Sequence, residues 1–186
     1  MLRLTVFIAL SALAVYASRA SLGSWHAHGF YRFFVWECVI CLILLNFRSG
    51  TQWFRDPLSA RQLASWALLS LSLLPLGLGV HLLRRLGQPD AQTRRDRRLF
   101  PIEQTTRLVT TGVYRYIRHP IYTSLLLLTW GLFLKHPSWV AAGLATGASL
   151  LLVATAVVEE RENVRYWGPS YEAYRRETKR FIPFLF

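Results

Sequence analysis

Two apolar runs near the end of the chain, residues 120–135 and 138–158, are joined only through Lys135-His136-Pro137-Ser138. A link that short admits only a tight helical hairpin. The flanking segments, 84–119 and 159–186, must then return to the same side of whatever the hairpin crosses. Three further apolar stretches precede it, at 4–17, 30–47 and 62–83. About 20 apolar residues cross a bilayer as a helix. The fold class is therefore all-α: a polytopic membrane protein with about five transmembrane helices, a C-terminal helical hairpin and a cytoplasmic amphipathic tail. It reads as a single membrane domain over 1–186. Three spans fill 1–83, a basic connection 84–119, the hairpin 120–158, and a tail 159–186.

The first stretch has the flanks of a signal peptide, with Arg3 before it and Ser18-Arg19-Ala20 after. The apolar character of everything downstream favours a retained helix. Charge lies in blocks between the apolar runs rather than over a surface. The connection 84–118 holds nine arginines against Asp90, Asp96 and Glu103. Excess Arg and Lys marks the cytoplasmic side, which puts the connection and the tail there and the N-terminus outside. Loop 48–61, with three Arg and one Asp, falls on the outer side. A short chain without an N-terminal extension fits a bacterial inner membrane. The net charge of +12 would suit nucleic acid, but no recognition fold accompanies it, so membrane lipid is the expected partner. The stretch Gly87–Arg98 reads as flexible, and its arginines 94–98 as headgroup contacts. Glu37 interrupts an apolar run and must face protein or water; Arg32 is its expected partner. Cys38 and Cys41 have C-x-x-C spacing but no second pair, and read as small apolar helix residues. The five histidines are scattered, and no metal site is predicted.

Chemistry concentrates at one seam, "TTGVYRYIRHPIYTSLL" (110–126). Pro120 fits the first turn of a helix, with His119 near its cap. A helix start offers unpaired N–H groups and partial positive charge, suited to a carboxylate or phosphate. Arg115 and Arg118 add to it, and Gly112 permits a turn. The hairpin brings Glu159 back beside His119 and Tyr122. Glu159 and Glu160 read as the acidic end of an apolar helix, opposed to its dipole, a placement that calls for a cation. An anion site facing a carboxylate suits a zwitterionic amino-acid group.

"LVTTGVYRYIRHPIY" and, one hairpin later, "EERENVRYWGPSYEAYRRETKRFIPF" resemble the isoprenylcysteine carboxyl methyltransferase family, which is related to the membrane phospholipid N-methyltransferases. The resemblance covers residues 106–183. Ser124 stands where the family has a glycine, Asn163 where leucine is common, and Trp167-Gly168 replaces Phe-Gly. The resemblance implies a multi-span enzyme that uses S-adenosylmethionine without a Rossmann domain, and no G-x-G-x-x-G follows a strand here. Carried over by motif, the cofactor would contact Thr106, Arg107, Leu108, Val109, Tyr114, His119, Pro120, Ile121, Tyr122 and Glu159. The helix start near His119 would take the methionine carboxylate and Glu159 the α-amino group. The methyl acceptor would be a carboxylate or an amine of a lipid-like small molecule entering from the bilayer. An amine must lose a proton, for which Glu160 or His119 would serve. The eukaryotic prenylcysteine enzymes carry an arginine for the substrate carboxylate where this chain has Thr155; Arg118, Arg161 or Arg165 would have to replace it. The catalytic assignments thus fall on Glu160 and Arg118. Two other readings stay open: an NADPH-dependent membrane reductase of the sterol-reductase type, and a non-catalytic membrane protein with the same fold.

Overall fold

A computed structural model describes residues 2–48, 53–54 and 56–184. Among the described residues six α-helices follow one another: α1 (Leu2–Leu22), α2 (His28–Arg48), α3 (Ala60–Leu86), α4 (Pro120–Lys135), α5 (Trp139–Trp167) and α6 (Pro169–Glu177). Short 3₁₀ turns at Pro101–Glu103 and Gly112–Arg115 punctuate the long connection between α3 and α4. The five predicted spans fall on α1–α5. Four of these helices are long and apolar enough to cross a membrane. The fourth predicted span, α4, has 16 residues, or about 24 Å at ~1.5 Å per residue, less than a hydrocarbon core of ~30 Å. Part of the predicted outer loop 48–61, namely 49–52 and 55, lies outside the described residues.

Small residues set the helix spacing. A Cβ on Gly79 of α3 would stand 3.1 Å from the Pro120 ring of α4, and one on Gly131 of α4 would stand 2.8 Å from Leu69 of α3. Glycine at both places lets these helices approach closely, as in other membrane packings. On α5, Ala141, Ala145, Ala148, Leu152 and Ala156 form a buried stripe at helical spacing. Val35, Val39 and Leu42 of α2 belong to the same core cluster. Several polar groups inside this packing donate to backbone carbonyls or to one another, as a hydrocarbon environment favours. Asn46 donates to the carbonyls of Leu42 (2.9 Å) and Leu132 (3.0 Å). Ser65 donates to that of Gly131 at 2.8 Å. Lys135 is buried at the far end, its ammonium 2.8 Å from Gln62 Oε1 and over the Trp66 ring at 3.3 Å.

The short hairpin link has the predicted consequence. Ser138 caps α5 by accepting from the Ala141 N–H, and the connection and the tail meet at one end of the bundle. There the Arg118 and His119 N–H groups donate to the carbonyls of Lys179 and Arg180 at 2.8 and 3.1 Å. Gly112 turns the chain with φ +62° where a Cβ would strike Leu82 at 2.7 Å, so that turn needs glycine.

Three local expectations are corrected. The helix carrying Glu159 and Glu160 does not end with them: α5 runs 29 residues to Trp167, about 43 Å at ~1.5 Å per residue. It projects past a ~30 Å core with the carboxylates well inside it, so the opposed dipole does not apply. Glu37 does not pair with Arg32, because residues five apart lie on different faces of a helix. Its Oε2 accepts from Ser11 of α1 at 2.7 Å, while Arg32 pairs with Glu103. The stretch Gly87–Arg98 folds into turns pinned by Asp90, which accepts from Gln92 N–H and Thr93 Oγ1. Arg94 leaves the expected headgroup position and is buried.

Candidate active site

At the end where connection and tail meet, a cavity opens between α3, the connection, the start of α4, the projecting part of α5, and α6. It holds about 680 Å³ of non-atom space, part of it open to solvent. Of the site residues singled out in the sequence, Leu108, Val109, Tyr114, Arg118, His119, Pro120, Ile121, Tyr122 and Glu159 line it. Thr106, Arg107 and Glu160 do not line it. The Thr106 hydroxyl turns away to the Gln88 carbonyl at 2.8 Å, and Arg107 is exposed. The remaining walls include Arg94, Glu103, Asn163, Trp167, Tyr171 and Tyr174.

Local sequence explains how these groups converge. His119 is the N-cap of α4 and Pro120 its first residue. The Ile121 and Tyr122 N–H groups therefore have no intrahelical acceptor at the cavity edge. Gly168, at φ +56°, ends α5 and starts α6. The chain reverses there and lays Tyr171 and Tyr174 over the cavity. The Tyr174 hydroxyl donates to the Tyr114 carbonyl at 2.7 Å. Burial pushes the phenols of Tyr114, Tyr171 and Tyr174 above their ordinary range, so they stay protonated donors. The Tyr171 ring stacks near parallel to Trp167.

The adjacent carboxylates have different fates. Glu160 is engaged on both oxygens. Arg118 donates to Oε1 at 3.0 Å, Arg180 to both oxygens at 3.0 Å, and His119 Nε2 lies 3.3 Å from Oε1. The Arg118 guanidinium also donates to the Thr178 carbonyl, tying the tail to α5. Glu159 faces the cavity and accepts from the Tyr122 hydroxyl at 2.5 Å. Its other ion-pair contact among the described residues is His119 Nδ1 at 3.7 Å. One carboxylate is thus consumed by structure and the other is open to a cationic ligand.

Arg94 is the largest feature that the sequence reading missed. It donates to the Glu103 and Thr105 carbonyls and to Asn163 Oδ1 (3.2, 3.3 and 3.2 Å). Its guanidinium lies 4.2 Å over the Tyr166 ring and 4.7 Å over Trp167. Asn163 takes part here because a leucine at that position would leave Arg94 short of an acceptor. A second network braces the wall beside it. The His28 ring Nδ1 is 2.6 Å from Glu162, its Nε2 3.6 Å from Glu103, and Arg32 pairs with Glu103. No signal in the sequence joined Arg32 to Glu103, which are 71 residues apart.

Burial alone would raise the Glu103 carboxyl, but Arg32 and His28 outweigh it and bring it down to about 2. A depressed carboxyl stabilises the fold above its unfolded value, near 4.3, and that contribution fades as pH falls toward the folded value. The wild type is expected to lose thermal stability as pH falls from about 5 to 2 more steeply than Glu103→Gln. Melting curves of both proteins in detergent check this; parallel pH dependence would contradict it.

The fold and the cavity define a helical membrane protein with a mixed-charge, aromatic-walled site at one end of the bundle. The family model for phospholipid methyltransferases matches residues 68–168, more than half of the chain and all of α4 and α5. The chain belongs to that family of membrane methyltransferases. It is also 32% identical over 78 residues to the methanethiol S-methyltransferase of Crocosphaera subtropica. That match covers 41% of this chain and 29% of the relative. No solved structure matches.

Proposed function

We propose that the cavity binds S-adenosylmethionine and that the chain transfers its methyl group to a carboxylate of a lipid-like acceptor on the cytoplasmic side of the membrane. The observation that carries this reading is Glu159, a cavity-facing carboxylate with no arginine or lysine paired to it among the described residues, beside a helix start. The residues fit the cofactor's zwitterionic end. Glu159 would hold the α-ammonium. The Ile121 and Tyr122 N–H groups, with the positive end of α4, would hold the carboxylate. Tyr114, Trp167, Tyr171 and Tyr174 would enclose the adenosine and keep water out. Bound there, the cofactor supplies a methyl group on a sulfonium. The protein then has to orient the acceptor in line and exclude solvent.

The occupied state of Glu160 bears on the acceptor. Three cationic or imidazole partners hold it, which makes it a poor base, so an acceptor that arrives already ionised is favoured over an amine. Thr155 is buried, and its hydroxyl donates to the Leu151 carbonyl at 2.7 Å. The acceptor carboxylate would instead rely on the cavity's Arg118 or Arg94. A thiolate acceptor is the second reading, supported by the methanethiol S-methyltransferase relative.

The test is methyl-labelled S-adenosylmethionine added to membranes that contain the protein. Label extracted with lipid and released as methanol by base marks a carboxyl ester. Lipid label that resists base marks an amine. Label volatile before base treatment marks a small thiol. The expected result is the base-labile product, and no protein-dependent transfer to any fraction would overturn the reading.

A further inference from the structure

On the opposite side of α5 from the cavity, a groove is walled by Trp25 and His26 of the α1–α2 turn, Tyr31 of α2, Arg98 of the connection, and Arg161 and Arg165 of α5. Arg161 and Arg165 are one helical turn apart, so both guanidinium groups reach the same side. Neither has an ion pair among the described residues. The acid that lines the groove, Glu162, is already held by the His28 ring at 2.6 Å and the His28 N–H at 3.2 Å. Arg98 is held by Asp96, with bonds of 2.9 and 2.8 Å. The titratable groups facing the groove therefore leave two uncompensated positive charges. Val158, the last apolar residue of α5 before the acidic pair, also lines it. Trp25 is 64% exposed, and its ring stands against His26 at 3.6 Å.

This combination lies where α1 ends, α2 begins and α5 runs on beyond its apolar stretch. Tryptophan and tyrosine settle at the headgroup level of a bilayer, and arginine forks match phosphate oxygens. We infer that this groove is a binding site for the phosphate of an anionic phospholipid headgroup, separate from the methyl-transfer cavity, with Arg161 and Arg165 as its ligands. A lipid is the fitting source because Val158 and the exposed Trp25 indole offer apolar surface beside the two arginines. The site adds to the proposed methyl transfer and does not depend on it.

The experiment titrates detergent-purified full-length protein with dihexanoyl phosphatidylglycerol, dihexanoyl phosphatidylcholine and inorganic phosphate. The readout is the part of the tryptophan fluorescence change that is lost in Trp25→Phe. Phosphatidylglycerol is expected to bind at least tenfold tighter than phosphatidylcholine. Each arginine near an anionic headgroup contributes about a factor of five, so the double variant Arg161→Gln/Arg165→Gln should lose roughly 30-fold. Arg95→Gln/Arg97→Gln, which removes equal charge from the exposed connection, should bind as wild type. Equal binding of the two lipids would overturn the proposal, as would an undiminished double variant. Inorganic phosphate binding as tightly as the lipid would overturn the lipid assignment. A melting temperature of the double variant within a few degrees of wild type is the folding control, and S-adenosylhomocysteine binding, read separately on the wild type, separates failure here from failure of the methyltransferase reading.

Discussion

Glu159→Gln is expected to weaken binding of S-adenosylhomocysteine by at least ~30-fold while the melting temperature stays within a few degrees of wild type. The magnitude follows from removing one partner of a desolvated charge pair, which costs about 2–5 kcal/mol, the lower figure corresponding to roughly 30-fold. The small structural effect follows from the geometry. Glu159 has no arginine partner among the described residues, and a glutamine still accepts from the Tyr122 hydroxyl, now 2.5 Å away. Titration calorimetry with both S-adenosylhomocysteine and S-adenosylmethionine separates two roles. If Glu159 holds the α-ammonium, both ligands weaken together, since both carry that group. If it instead faces the sulfonium, only S-adenosylmethionine weakens. Binding of both ligands at wild-type strength by a folded variant would remove Glu159 from the cofactor site and the proposed function with it.

The sequence made most of the fold legible because the strongest signal was long apolar runs separated by short or charged links. The hairpin at 120–158 followed from link length alone, and so did the meeting of connection and tail at one end. The start of α4 at His119-Pro120 could be read because proline has a positional preference. Other features depend on contacts between residues distant in sequence. Nothing local distinguishes Arg94 from Arg95, Arg97 and Arg98, yet only Arg94 enters the cavity wall, stacked on Tyr166 and Trp167. The end of α5 was misread because the change from apolar to charged residues at Glu159 marks where the helix leaves hydrocarbon, not where it stops. Its extension is supported by packing against α6 and the connection, which periodicity does not report. The pairing of Arg32 with Glu103 rather than Glu37 has the same origin: a helix puts positions five apart on different faces, and the partner comes from another element.

That distinction between adjacent carboxylates leads to an opposite expectation for Glu160. Glu160→Gln should cost about 3 kcal/mol of stability, the lower end for breaking a buried ion pair, because Arg118, Arg180 and His119 would be left clustered without their counter-charge. For a chain of this size that is a fall of roughly 6–12 °C in melting temperature. Arg180 is the most exposed of the cationic partners, at 23%, so removing it should relieve part of the surplus charge. Glu160→Gln/Arg180→Gln is therefore expected to recover some of the loss, a positive coupling readable by double-mutant cycle. Methyl transfer at a temperature where Glu160→Gln remains folded should stay within about tenfold of wild type, with an unchanged pH profile, because a carboxylate acceptor needs no base. A general base would behave otherwise: melting would hardly move, and turnover would fall by a factor of 10²–10⁴. That outcome would return Glu160 to the catalytic role and shift the acceptor toward an amine. With Glu160 confined to structure, the discrimination between the two glutamates rests on their partners: two arginines and a histidine hold one on both oxygens, while a tyrosine hydroxyl and the more distant His119 ring leave the other facing the cavity.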